Sequence, residues 1–272
     1  MSKYVVRCGL NRTLYSMNAR GEHRRGDTVI ARTNRGLERG EVLSEVPEPA
    51  PENVAELPSG SIQRLATDED LKELERLDVM AETDFKDCSA IIAESGLAMR
   101  LIDVERVLGG EIFTLYFTSD DRVDFRELVK TLAGRYHTRI EMRQVGARDE
   151  AKLLADYGDC GKPVCCNTHL SSMPPVTMRM AKLQKSTLDP NKISGRCGRL
   201  KCCLRYENDH YEELAKKIPT AGSEILTREG RAKVLGVELL AQQLLISTED
   251  NRRILISADD VVTVLKRGLE PS

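Results

Sequence analysis

"GDTVIARTNRGLERGEVL" gathers its apolar and β-branched residues into two β-rich runs, joined at Asn34-Arg35-Gly36. Such runs read as strands, and Asn and Gly at the break supply the backbone freedom of a tight turn, so a hairpin is expected. The first 46 residues read throughout as short strands of a small sheet or barrel. "EVPEPAPENVAELPSG" follows with four prolines, and residues 47–60 read as a linker or loop.

From Thr67 the pattern becomes that of a helix. Thr67 and Asp70 make a capping signal, and Leu74, Leu77, Ala81, Phe85, Cys88 and Ile92 recur at three- and four-residue steps along one face. Strand-like runs return after Gly96 on either side of Gly109-Gly110, with Phe113, Leu115 and Phe117 sharing a face. Asp124 and Glu127 suggest a second cap before Phe125, Leu128, Val129, Leu132 and Tyr136 at helical spacing, and "RIEMRQVG" closes as a strand. With an earlier strand at about 61–65, this order predicts a split β-α-β layer, helices on one face, over residues 61–157. Residues 219–267 give four or five β-rich segments with turn signals at Glu229-Gly230 and Glu249-Asp250-Asn251. They suggest a small SH3-like barrel, although "VELLAQQLL" fits a helical turn equally well. The expected class is α+β: an N-terminal β-rich hairpin region, a central split β-α-β layer, a cysteine-rich loop and helix segment over 158–218, and a small C-terminal β-barrel-like region.

Composition adds limits. The chain has 272 residues, 40% hydrophobic and 31% charged, which suits two or three small globular domains and argues against disorder. No segment reaches the roughly 18 uninterrupted apolar residues of a membrane helix. The N-terminus lacks a signal peptide's apolar run, so a cytoplasmic protein without a membrane span is expected.

The cysteines change the picture most. "GDCGKPVCC" from Gly158 and "GRCGRLKCC" from Gly195 repeat one phrase at an offset of 37 residues, holding Cys160, Cys165, Cys166, Cys197, Cys202 and Cys203. In a reducing compartment, cysteines at short spacing favour metal ligation or redox chemistry over structural disulfides. The Cys-x4-Cys step matches the first ligands of plant-type ferredoxins rather than the Cys-x2-Cys of zinc ribbons. Adjacent cysteines suit a multi-iron cluster better than one tetrahedral ion, with zinc the alternative. His169 is a lesser ligand candidate, while Cys8 and Cys88 read as core thiols. From Cys160 to Arg205 nine basic residues face one acid, a segment of +8 that leaves −10 for the rest of a chain whose total is −2. Such a patch suits an anionic partner, either ligated thiolates or a phosphate backbone. The segment has no Phe, Tyr or Trp to stack bases, so direct RNA binding is not the favoured reading. No phosphate loop or nucleophile–base grouping points to an enzyme. A thiol oxidoreductase using Cys165 or Cys202 ranks last, since Cys-x2-Cys is absent.

Together, "RVDFRELVKTLAGRYHTRIEMRQVGARDEAKLLADYGDCGKPVCCNTHL", "MAKLQKSTLDPNKISGRCGRLKCCLRYE" and the strand-rich N-terminus resemble the RicT (YaaT) family, bacterial proteins with the PSP-one homology domain. The resemblance covers roughly residues 5–219. It implies a regulatory subunit, not a catalyst, that joins RicA-like and RicF-like small helical proteins in a complex carrying [4Fe–4S] clusters. That complex influences messenger-RNA processing by endoribonuclease Y and is linked to a phosphorelay controlling sporulation, competence and biofilm formation. On this chain the implied cluster ligands are Cys160, Cys165, Cys166, Cys197, Cys202 and Cys203. The alternative is a metal-bearing nucleic-acid-binding module acting alone.

Overall fold

The two runs joined at Asn34-Arg35-Gly36 form a hairpin within a closed five-stranded barrel. Its strands are β1 (Ser2–Cys8), β2 (Thr13–Ala19), β3 (Thr28–Thr33), β4 (Gly36–Glu45) and, after the one-turn helix α1 (Glu52–Ala55), β5 (Ser59–Leu65), in the order β1-β2-β5-β3-β4. Strand β5 runs parallel to β2 and antiparallel to β3. A methyl group at Gly60 would stand 2.9 Å from Arg32 O and 3.1 Å from Met17 Cε, so a side chain there would keep β5 out of its slot. Tyr4, Val6, Cys8, Met17, Val29, Ala31 and Val42 fill the interior. The strand expected at 61–65 thus exists but closes the barrel instead of completing the central layer. The computed structural model describes residues 2–49, 51–154, 157–170 and 173–268, without the side chains of residues 53 and 55.

Thr67 caps α2 (Asp68–Ser95) with the expected reciprocal bonds to Asp70. Three strands follow, β6 (Arg100–Arg106), β7 (Ile112–Thr118) and β8 (Arg139–Gln144), with α3 (Arg126–Tyr136) crossing between the parallel pair β7 and β8. The α3 cap differs from expectation. Phe125 holds the N-cap position and makes no side-chain cap bond, while Asp124 accepts from Arg126 N at 3.2 Å. Cys88, Ile92, Leu101, Val104, Phe113, Leu115, Leu128 and Leu132 form one core between sheet and helices. Its edge holds a buried ion pair, Arg106 Nε donating to Asp84 Oδ2 at 2.6 Å, with the guanidinium 4.5 Å from the Phe113 ring centroid. Tyr116, on the other face of β7, packs with Ile102, Val145 and Leu153 of α4 (Ala147–Leu153).

The β3–β4 turn is fastened to this sheet. Arg35, 6% exposed, reaches Glu105 Oε2 at 2.6 Å and donates to Tyr116 OH at 3.2 Å, and that hydroxyl donates to the same Glu105 oxygen at 2.7 Å. Glu38 lies 3.8 Å from Arg35 Nε and accepts the Thr33 hydroxyl.

The chain divides into two units, the first comprising Met1–Ser172 with Arg196–Gly198 and the second Met173–Gly195 with Arg199–Ser272. The first ends with α5 (Cys165–Thr168); the second holds α6 (Met178–Leu183), α7 (Pro190–Ile193) and α8 (Cys202–Lys217). Then follow β9 (Glu224–Thr227), β10 (Gly230–Glu238), β11 (Gln243–Thr248), β12 (Arg253–Ser257) and β13 (Val261–Lys266), a sheet of order β12-β11-β10-β9-β13. "VELLAQQLL" is the β10–β11 hairpin, not a helical turn. Ile225, Ala232, Val234, Leu244 and Ile246 form its core with Ile218. No helix among the described residues is long and apolar enough to cross a membrane.

Candidate metal centre

The repeated phrase folds the same way twice. Gly158 N donates to Lys162 O at 2.8 Å, and 37 residues later Gly195 N donates to Arg199 O at 2.8 Å. Bridges Tyr157↔Pro163 and Ser194↔Leu200 frame the two turns. Gly161 and Gly198 hold φ of 73° and 72°, a left-handed conformation that costs an L-residue with a side chain about 1–2 kcal/mol. Each turn then enters a helix through an extended residue, Val164 (φ −54°, ψ 136°) or Lys201 (φ −56°, ψ 126°). The first turn of that helix is closed by Asn167 N to Val164 O at 2.9 Å or Leu204 N to Lys201 O at 3.1 Å. Each phrase is therefore a knuckle, with one thiol in the turn and two at the start of a helix. Beyond this the copies part, α5 stopping after four residues and α8 running for sixteen.

Of the six thiols, Cys160 is exposed and the other five are half-buried. The turn Arg196–Gly198 groups with the first unit, and Arg196 Nε donates to Tyr157 O at 2.8 Å. Cys202 and Cys203 open α8 in the second unit. Among the described residues, no three His, Cys, Asp or Glu side chains converge on a point that could hold a metal ion. The donor set, thiols on two matching knuckles, fits a soft metal or cluster in its chemistry. His169 Nδ1 lies 3.0 Å from Thr168 Oγ1.

The surroundings of the first knuckle include residues that spacing could not have revealed. Arg12, on the β1–β2 turn, donates to Asn167 O at 3.1 Å. Cys166 Sγ lies 3.9 Å from Arg148 O, and α4 packs on α5. Burial pushes the Lys152 ammonium down against the upward pull of Asp149 and Cys166, with Arg12 and Arg7 adding to the downward shift. Cys166 therefore shares a cationic neighbourhood drawn from the barrel and α4. The sequence pointed instead to the basic residues between Cys160 and Arg205, two of which are engaged elsewhere: Lys185 with Glu238 and Arg205 with Asp209. In the second knuckle, burial raises the Cys203 thiol, as do Cys202 and Glu207. Cys8 and Cys88 are core thiols raised by burial, as expected of inert cysteines.

Two family models match: the PSP1 C-terminal conserved region over residues 60–145, and the third domain of PSP1-like proteins over 175–218. The first spans β5 to β8; the second contains the knuckle of Cys197, Cys202 and Cys203. No solved structure matches the chain. The stage 0 sporulation protein YaaT of Bacillus subtilis is 42% identical over 243 residues, which cover 89% of this chain and 88% of that protein. With that identity over nearly the whole of both chains and two PSP1 segments matched, the chain belongs to the YaaT family of PSP1-domain proteins.

Proposed function

We propose that this chain is a non-catalytic regulatory subunit of an iron–sulfur-containing complex that modulates messenger-RNA processing by endoribonuclease Y, with RicA-like and RicF-like helical proteins as its partners. The observation that carries the reading is the duplicated knuckle, built twice with matching turn-closing and helix-opening hydrogen bonds and the same left-handed glycine. Nothing in barrel or sheet packing calls for that repetition, whereas thiolate ligation does. Cys160, Cys165, Cys166, Cys197, Cys202 and Cys203 would hold the group, and Arg12 and Lys152 would offset negative charge near Cys166. When bound, a [4Fe–4S] cluster would supply a redox-sensitive cross-link between the two phrases. The sporulation protein named above supports a role in that developmental programme, and the cytoplasm is the compartment in which such thiols stay reduced.

Anaerobic isolation, iron, sulfide and zinc analysis, and an absorption spectrum test the cofactor. Iron with sulfide and a brown chromophore bleached by air is expected; a colourless protein with stoichiometric zinc would overturn the iron reading. RNA binding by the chain alone is the second reading, favoured by the +8 segment. Replacing Lys182, Lys185, Lys192 and Arg199 separates the two. Tight, salt-sensitive RNA affinity lost in that variant would establish direct binding, since each lost phosphate contact removes counterion release. Negligible affinity from the outset would support the scaffold.

A further inference from the structure

The outward face of the C-terminal sheet carries three exposed leucines in a row: Leu235 at 42%, Leu245 at 38% and Leu255 at 57%. Leu245 on β11 pairs directly with Leu255 on β12. On its other side Leu245 faces Gly236, and the register shift between Val234 and Gly236 places Leu235 beside it as the extra residue of a bulge. A methyl group at Gly236 would meet only Leu245 Cβ, at 3.8 Å, so an open notch lies among the leucines. One pleat along, Lys233, Ser247 and Arg253 form the next row, with Glu224 beyond Lys233. On the opposite flank stand Glu238, Gln243 and Ser257, and Glu238 is held by Lys185 at 2.8 Å.

The geometry points to a docking surface for an acidic amphipathic helix of another protein. Neighbouring strands lie about 4.8 Å apart and a helical turn advances about 5.4 Å. A helix laid across the strands can therefore set one apolar side chain per turn against Leu235, Leu245 and Leu255, with its backbone approaching over Gly236. Lys233 and Arg253 are two strands apart, which matches two turns, so carboxylates seven residues apart on one flank of that helix meet both cations. An extended peptide adding to the edge strand β12 would run along the strands and contact one leucine of the row. A nucleic acid would place phosphates, which need donors, over leucines that have none. The inference is independent of the cluster reading: no cysteine lies in the row, and metal-free protein should bind equally.

The test uses the full chain and two fluorescein-labelled peptides of 21 residues in anisotropy titrations. Both carry leucine at every third or fourth position; one has glutamate along one flank and its twin has lysine. The glutamate peptide should bind saturably and at least tenfold more tightly than the twin. Leu245→Glu should weaken it at least tenfold. Lys233→Glu with Arg253→Glu should reverse the preference toward the lysine twin, a gain that an unfolded variant could not show. Absence of saturable binding, equal affinity for both peptides, or a preference that does not reverse would overturn the proposal. Concentration-dependent self-association abolished by Leu245→Glu would overturn it too, by showing a second copy as the occupant.

Discussion

Replacing Arg35 by Met should open the barrel unit from its seam with the central sheet. Arg35 is buried, and its guanidinium faces Glu105, Glu38 and the Tyr116 hydroxyl. A methyl group placed at Gly9 would stand 2.9 Å from Glu38 Oε2 and 3.1 Å from Glu105 Oε1, so the two carboxylates are close neighbours. Without the cation between them they repel, by about 3 kcal/mol at about 6 Å in an effective dielectric of about 20. Breaking a buried pair from one side typically costs about 3–5 kcal/mol, and that is the loss expected at pH 7.5. Burial already raises the Glu38 carboxyl, against the lowering effect of Thr33 and Arg35; loss of Arg35 raises it further. A carboxyl raised in the folded state binds its proton more readily there, so the penalty is largest at high pH and shrinks as pH falls through the folded value. Hydrogen exchange of peptides from β1–β4, followed against urea at pH 7.5 and 5.5, reports on this unit separately from the other. The double variant Arg35→Met/Glu105→Gln should recover more than half of the loss. A cost below about 1 kcal/mol, well under the range for one-sided removal, or a cost that does not change with pH, would refute the argument.

In metal-free protein at pH 8, iodoacetamide should modify the six knuckle cysteines while Cys8 and Cys88 stay intact, and Cys203 should react slowest of the six; peptide mass spectrometry reads the order. Burial lifts the Cys8 thiol from its ordinary 9.0 to about 12, so its contribution is intact below pH 9 and is lost between pH 9 and 12. That rise corresponds to about 4 kcal/mol, and Cys8→Ala should lack that part of the alkaline loss in urea titrations of the barrel. Gly161→Ala and Gly198→Ala meet no atom within 4 Å, so each should cost only the left-handed backbone, about 1–2 kcal/mol. Exchange of the two turns should quicken by a similar factor in each; a much larger effect at one would show that the knuckles are not equivalent.

Local rules made much of this chain legible. The hairpin at Asn34-Arg35 follows from a turn signal between two β-rich runs and helix α2 from periodicity and capping, and the duplicated phrase stands in the sequence as text. What sequence could not disclose is non-local. The place of strand β5 depends on the slot that Gly60 permits. Arg12 lies 155 residues from Asn167, and no spacing rule links a β1–β2 turn to a cysteine knuckle. Asp124 followed the cap pattern, yet its carboxylate also binds the Arg126 guanidinium, with Nη2 to Oδ2 at 2.5 Å, and Phe125 takes the cap position.

Closure of the barrel by β5 also constrains synthesis. As the chain leaves the ribosome, β1–β4 emerge with one gap, between β2 and β3, that only residues 59–65 can fill. Until then Met17 and Val29, fully buried in the finished ring, border an open seam whose backbone donors and acceptors invite any passing strand. The prolines of residues 47–58 lie in the connection that must fold back to deliver that stave. The stretch resembling a linker is thus a poor place to cut: a fragment ending there would be a barrel with a missing stave, prone to pair with its own kind.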